Sequence, residues 1–249
     1  IWLASNGGGI GGYWGDVRSD GTSTSHGSKS TGSIPFMRVV DSQMLAFNQG
    51  TTRRGSYACY MDISHPEIEE FLFMRKSSGG DINRKCLNLH HGINVSDKFM
   101  SIIDNCTTNP GSDDTWELID PHTKRVVRKV SAKKLWQKIL ETRVATGEPY
   151  LCFIDTVQKS LPESQKKIGL KVHHSNLCSE ITLPTNEERT AVCCLSSLNL
   201  EKYDEWKDDP DMINDVMRFL DNVLSDFINK APEQFKDAKY SAERERSVG

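Results

Sequence analysis

No run of the sequence approaches the roughly 20 apolar residues that a membrane-spanning helix needs, so no membrane partner is expected. The start, Ile1-Trp2-Leu3-Ala4, lacks the basic flank and apolar stretch of a secretory signal. Neither sign of charge dominates: 31 Lys and Arg stand against 34 Asp and Glu, a net charge of −3, which leaves no electrostatic footprint for nucleic acid. A Walker A loop is absent, because Gly27-Ser28-Lys29-Ser30 separates its Gly from its Lys, and no internal repeat is evident. There is no CxxC. The seven cysteines, Cys59, Cys86, Cys106, Cys152, Cys178, Cys193 and Cys194, are odd in number and irregularly spaced, which argues against a disulfide scaffold or a zinc module. A cytoplasmic protein with mostly buried thiols is the expectation. An initiator Met is missing too, and the chain stops on Ser247-Val248-Gly249, so both ends read as cuts.

What is present is a globular composition, with 37% hydrophobic and 26% charged residues over 249 positions. Residues 1–34 are rich in Gly, Ser and Thr, too poor in apolar groups for a core of their own, and are expected as binding loops held by a scaffold. From Pro35 the apolar spacing becomes helical to Phe47, with Pro35 suited to a first turn. Ser56 to Ile63 alternates as a strand. His65-Pro66-Glu67-Ile68 opens a helix with acids in its first turn, as the helix dipole favours. Leu87 to Val95, Tyr150 to Ile154 and residues 191–195 read as strands. Ser131 to Gly147 reads as a helix, and Met212 to Phe227 as the longest one. Helices alternating with short buried strands predict an α/β fold.

Gly7-Gly8-Gly9-Ile10-Gly11-Gly12 fits G-x-G-x-x-G, but neither an adequate strand before it nor a helix after it is visible, so a Rossmann site is not expected. A glycine loop permitting close backbone approach to a ligand fits better. His90-His91 and His173-His174 are adjacent pairs that point to opposite faces of a strand and make poor joint metal ligands; no metal site is expected. The informative segment is Ser175-Asn176-Leu177-Cys178-Ser179-Glu180-Ile181. In an extended backbone Asn176, Cys178 and Glu180 project to one side, converging an amide, a thiol and a carboxylate. A polar strand edge with a buried cysteine is the plainer alternative. Ala191-Val192-Cys193-Cys194-Leu195-Ser196-Ser197-Leu198-Asn199-Leu200 follows, offering a second thiol on an apolar segment.

Together these two segments resemble the large (α) subunit of ribonucleotide reductase. Gly9-Ile10-Gly11 with Arg18, Gln49-Gly50 with Arg53, His65-Pro66-Glu67-Ile68 and Thr146-Gly147-Glu148-Pro149-Tyr150 follow that family's order over nearly the whole chain. The resemblance implies a ten-stranded α/β barrel of two parallel halves, of which residues 1–249 are a part, with residues 1–34 as substrate and effector loops, residues 35–249 as barrel strands and helices, and a radical-cysteine finger loop near 175–181. It implies reduction of ribonucleoside diphosphates to their 2′-deoxy forms. Cys178 is then the thiyl radical, Glu180 the base on the 3′ hydroxyl, Asn176 a donor to the ribose hydroxyls, and Cys193 one member of the reducing pair. Gly9, Leu177 and Ser179 would line the substrate. Arg18 would meet the phosphates of an ATP or deoxynucleotide effector, and Gln49 and Arg53 would lie on the segment that reports the effector to the substrate.

The implied partners are a small β subunit with a diiron centre that supplies the radical, a second α subunit, and thioredoxin or glutaredoxin as reductant. The second redox cysteine, the tyrosine pair of the radical relay and the C-terminal cysteine pair find no match within these residues, so the chain alone is expected to be inactive. Cys194 has no assigned role. An adenosylcobalamin-dependent reductase, or a noncatalytic half of a split subunit, would carry much of the same pattern.

Overall fold

The computed structural model describes residues 1–5, 7–47 and 55–249. It divides into two units, one of residues 1–161 with 173–182, the other of residues 162–172 with 183–249.

In the first unit, α1 (Trp2–Ser5) precedes β1 (Gly9–Tyr13), and α2 (Ile34–Ala46), β2 (Ser56–Asp62) and α3 (Ile68–Phe73) follow. Next come β3 (His90–Val95), α4 (Asp97–Thr108), the hairpin of β4 (Thr115–Ile119) and β5 (Val126–Ser131), α5 (Ala132–Thr146), β6 (Tyr150–Phe153) and α6 (Ile154–Ser160). The sheet order is β1-β2-β3-β6, with every neighbouring pair parallel. Parallel neighbours require crossover connections, and α2, α3 and the α4–hairpin–α5 segment supply them. The α/β expectation is met, with four parallel strands among the described residues.

Side-chain alternation divides the sheet into two unlike faces. Cys59, Met61, Ile93 and Val95 point into the main core, against Ile34 and Met37 of α2, Phe71 and Leu72 of α3, Phe99 of α4 and Leu135 and Ile139 of α5. Complete burial of side chains the size of Phe71 or Phe99 stabilises by about 1.5–3 kcal/mol each. The opposite face carries Gly9, Gly11, Ala58, Tyr60, Gly92, Tyr150 and Cys152, and these alternate along the strands with the core residues. Helix ends follow local chemistry. Ser96 caps α4 by accepting from the Phe99 N–H (3.3 Å), Ser131 caps α5 from Lys134 (3.2 Å), and Gly147 closes α5 at φ +80°.

Several sequence expectations need correction. Gly9–Tyr13, expected within a loop region, is a strand; Gly9 and Gly11 face the crossing segment described below, and Gly12 faces Tyr57 on the other side. α3 begins at Ile68 rather than at His65, because the side chains of His65 and Glu67 are engaged elsewhere. Residues 191–195 form no strand. Only a single bridge, Cys194 to Val248, is made there among the described residues.

The second unit contains α7 (Glu163–Lys167), α8 (Tyr203–Trp206), α9 (Met212–Lys230) and α10 (Lys236–Glu245). Leu220 and Leu224 of α9 and Ala238 and Ala242 of α10 are buried, and Arg246 donates to Asp221 (2.8 Å) beside this helix pair. Among the described residues no helix is long and apolar enough to cross a membrane.

Candidate active site

Residues 173–178 run across the glycine-bearing face of the sheet. His173 lies at the ends of β1 and β3: its ring meets Tyr13 at 5.5 Å between centroids, and its carbonyl accepts from Asn94 Nδ2 at 2.8 Å. Further along, the Tyr60 hydroxyl donates to the Asn176 carbonyl at 2.6 Å. Leu177 reaches the beginning of β1 and packs with Ala58, Tyr60 and Cys152. This close approach explains the glycines. A Cβ at Gly11 would stand 2.6 Å from the Ser175 carbonyl oxygen and 3.1 Å from Asn176 Cα, both backbone atoms. A Cβ at Gly9 would stand 2.6 Å from Leu177 Cδ2, the far end of a side chain that can rotate. Gly11→Ala is therefore expected to push the turn off the sheet and to destabilise the fold more than Gly9→Ala, where Leu177 can give way. Thermal unfolding of the two variants checks the ranking.

After Leu177 the backbone does not stay extended, and the alternation argument fails there. Ser179 adopts φ +74°, and a turn replaces the strand. Asn176 organises it: Oδ1 accepts from the N–H groups of Glu180 (3.1 Å) and Ile181 (3.2 Å), while Nδ2 donates to Glu180 Oε1 (3.0 Å). Asn and Asp side chains favour this kind of local backbone mimicry. Amide and carboxylate are thus joined directly, and Cys178 sits exposed between them on the same turn. The turn thereby replaces the alternative of a strand edge with a buried thiol. Ser175 Oγ donates to the Ile181 carbonyl (2.7 Å) and closes the base of the turn.

Tyr60 and Tyr150, absent from the sequence-derived set, flank this turn. Burial raises the Tyr150 phenol pKa, and the charges of Glu148, Cys178 and Glu180 raise it further. Both tyrosines occupy the positions of their strands that share parity with Gly9 and Gly11, which is the signal that could have found them.

Nearby, Glu148 receives Nδ1 of His90 (2.5 Å), Nδ1 of His91 (2.9 Å) and the Arg75 guanidinium (3.2 Å). Burial alone would raise its carboxyl, but these hydrogen bonds and the Arg75 charge outweigh it and hold it well below the usual carboxylate range. The adjacent histidines do point to opposite faces, yet one carboxylate serves both.

The turn does not include the other expected residues. Cys193 belongs to the second unit, where its thiol lies 3.8 Å from the Cys194 carbonyl. Arg18 lines a cleft of about 500 Å³ with Asp16, Thr24, Lys29, Ser30 and His122. Lys29 and His122 were not anticipated; Lys29 adds a second cation to Arg18, with the Thr24 and Ser30 hydroxyls and the Asp16 carboxylate on the same lining. Gln49 and Arg53 lie outside the described residues.

A family model described as the barrel domain of ribonucleotide reductase matches residues 2–249. The chain is 44% identical to the ribonucleoside-diphosphate reductase large subunit of Invertebrate iridescent virus 3, over 89% of this chain and 42% of that protein. With the large subunit of Invertebrate iridescent virus 6 it shares 49% identity over 71% of this chain and 17% of the other. Among solved structures, the class Id ribonucleotide reductase alpha subunit of Actinobacillus ureae matches with TM-score 0.75 and 31% identity, over 100% of this chain and 41% of that one. The chain thus spans less than half the length of these relatives. With the family model covering all but the first residue, and the same family name on the viral sequences and the bacterial structure, the chain belongs to the ribonucleotide reductase large-subunit family, a family of oxidoreductases.

Proposed function

We propose that these residues carry the nucleotide-reducing site of a ribonucleoside-diphosphate reductase, which converts ribonucleoside diphosphates to 2′-deoxyribonucleoside diphosphates for DNA precursor synthesis by a thiyl radical mechanism. The observation that carries the reading is the turn in which Asn176 bonds Glu180 while Cys178 stays exposed, laid on a sheet face floored by glycine.

In this reading Cys178, as a thiyl radical, takes the hydrogen atom from C3′ of the ribose, becoming a thiol and leaving a carbon radical. Glu180 accepts the 3′-hydroxyl proton, the ordinary geometry of general-base catalysis. Asn176 keeps Glu180 aimed and offers its amide to the ribose hydroxyls, while Leu177 and Ser179 shape the surface beside them. Gly9 supports this surface through Leu177. Cys193 supplies one of the two thiols whose oxidation to a disulfide accompanies loss of the 2′ hydroxyl as water. A sulfur radical survives only where water is kept out, so this reading requires Cys178, exposed on its turn, to be covered when it reacts.

Arg18, with Lys29, receives the phosphates of ATP or a deoxynucleoside triphosphate effector, and Gln49 and Arg53 belong to the segment that couples effector to substrate. That coupling is allosteric, a free energy linking two distinct sites. The radical comes from the diiron centre of a small β subunit, an α–α dimer is the working form, and thioredoxin or glutaredoxin restores the thiols. The test is CDP turnover by a complete α subunit carrying these residues together with a radical-generating β subunit. dCDP formation without added cobalamin is the expected result; strict dependence on adenosylcobalamin would replace this reading with that of the cobalamin-dependent reductases.

A further inference from the structure

The residue that meets the effector in this reading, Arg18, sits on a segment with little core of its own, yet its backbone is held on both sides by buried polar groups from distant parts of the chain. On one side the carbonyl of Val17 accepts from His65 Nε2 at 2.8 Å. The Glu67 N–H donates to His65 Nδ1 at 3.2 Å, which makes Nδ1 the acceptor and leaves the proton on Nε2, the tautomer that the Val17 bond needs. His65 is 2% exposed.

On the other side Ser19 gives both its N–H (2.8 Å) and its hydroxyl (2.7 Å) to Asp120 Oδ2, which also accepts from Thr22 Oγ1 (2.9 Å). The second oxygen of Asp120 accepts from the N–H groups of His122 (3.1 Å) and Thr123 (2.7 Å) and from the Thr123 hydroxyl (3.0 Å). One carboxylate, 1% exposed, therefore ties the turn between β4 and β5 to the residue after Arg18. That same turn puts His122 on the wall of the cleft.

We propose that His65 and Asp120 are positioning residues for effector binding: they fix the backbone on either side of Arg18, so that its guanidinium faces the cleft before a nucleotide arrives. Preorganisation of this kind raises affinity by removing the ordering cost at the moment of binding. The proposal rests on the reading of the cleft as the effector site.

A double-mutant cycle in the complete α subunit with its β subunit tests it, with dTTP as the probe and its half-maximal concentration and the kcat at saturating dTTP as the readouts. Asp120→Asn is nearly isosteric, but wherever its amide NH₂ lies it faces N–H and O–H donors. Ser19→Ala removes only one hydroxyl and spares the fold, so it decides the matter if Asp120→Asn does not fold. Each is expected to raise the half-maximal dTTP concentration, Asp120→Asn by about tenfold, the weight of about one hydrogen bond, while kcat at saturation is retained. In an Arg18→Ala background neither should add a further loss, because both act through Arg18. Losses that add to that of Arg18→Ala, or an unchanged dTTP requirement in Ser19→Ala and in any folded Asp120→Asn, would overturn the proposal. If Arg18→Ala itself binds dTTP normally, the reading of the cleft fails instead.

Discussion

Cys178→Ser, placed in a complete α subunit that carries these residues, is expected to bind nucleoside diphosphate normally and to form no measurable deoxynucleotide. The substitution keeps size, turn geometry and hydrogen-bonding capacity. It removes only the sulfur on which the unpaired electron resides. Cys178 is exposed on its turn and lies outside the buried clusters, so the fold has no reason to change. Loss of an obligatory reacting group removes the catalysis of the whole constellation, and turnover should fall by at least about 10⁴-fold. CDP reduction assays with substrate affinity measured in parallel check this. A variant keeping more than a few per cent of the parent rate would remove Cys178 from the mechanism.

Glu180→Gln should give the second largest effect. Gln preserves the length of the side chain, and its amide oxygen still accepts from Asn176 Nδ2, the bond that Glu180 Oε1 makes at 3.0 Å. What it cannot do is take a proton. A general base contributes about 10²–10⁴-fold, so kcat should drop within that range while KM stays within about threefold. A matching rise in KM with kcat unchanged would indicate that Glu180 binds substrate and performs no chemistry.

The three residues at the centre of these predictions were legible in the sequence, although the spatial reason was not. Alternation in a strand brings Asn176, Cys178 and Glu180 to one side. In the structure the chain bends at Ser179, and Asn176 gathers the group by bonding the backbone and side chain of Glu180. The same three residues are brought together by a different local rule, in which an Asn side chain competes with regular backbone pairing.

The glycines of β1 misled in the opposite direction. Composition marked them as loop, because glycine weakens a strand and packs nothing. Gly9–Tyr13 is a strand because it pairs with β2, and the segment that crosses it accounts for its glycine: Gly11 admits the Ser175 carbonyl, which is more than 160 positions away in the chain. No local window contains both partners. The grip of Asp120 on Ser19 and Thr22 was hidden for the same reason, since the β4–β5 hairpin shows mostly exposed residues along β5 and nothing near it announces a partner 101 residues earlier. The helices, in contrast, were readable from position to position. α5 declares itself through Ser131 at its start, Gly147 at its end and apolar Leu135 and Ile139 one turn apart.

The most direct test of the account is the fate of hydrogen at C3′. With CDP carrying deuterium or tritium at C3′, the complete enzyme should show an isotope effect on turnover and cleavage of that bond, and the Cys178→Ser enzyme should show no cleavage at all while still binding CDP. Cleavage of the 3′ bond by Cys178→Ser at the parent rate would contradict the central claim that the thiol on the Asn176–Glu180 turn is the hydrogen-abstracting group.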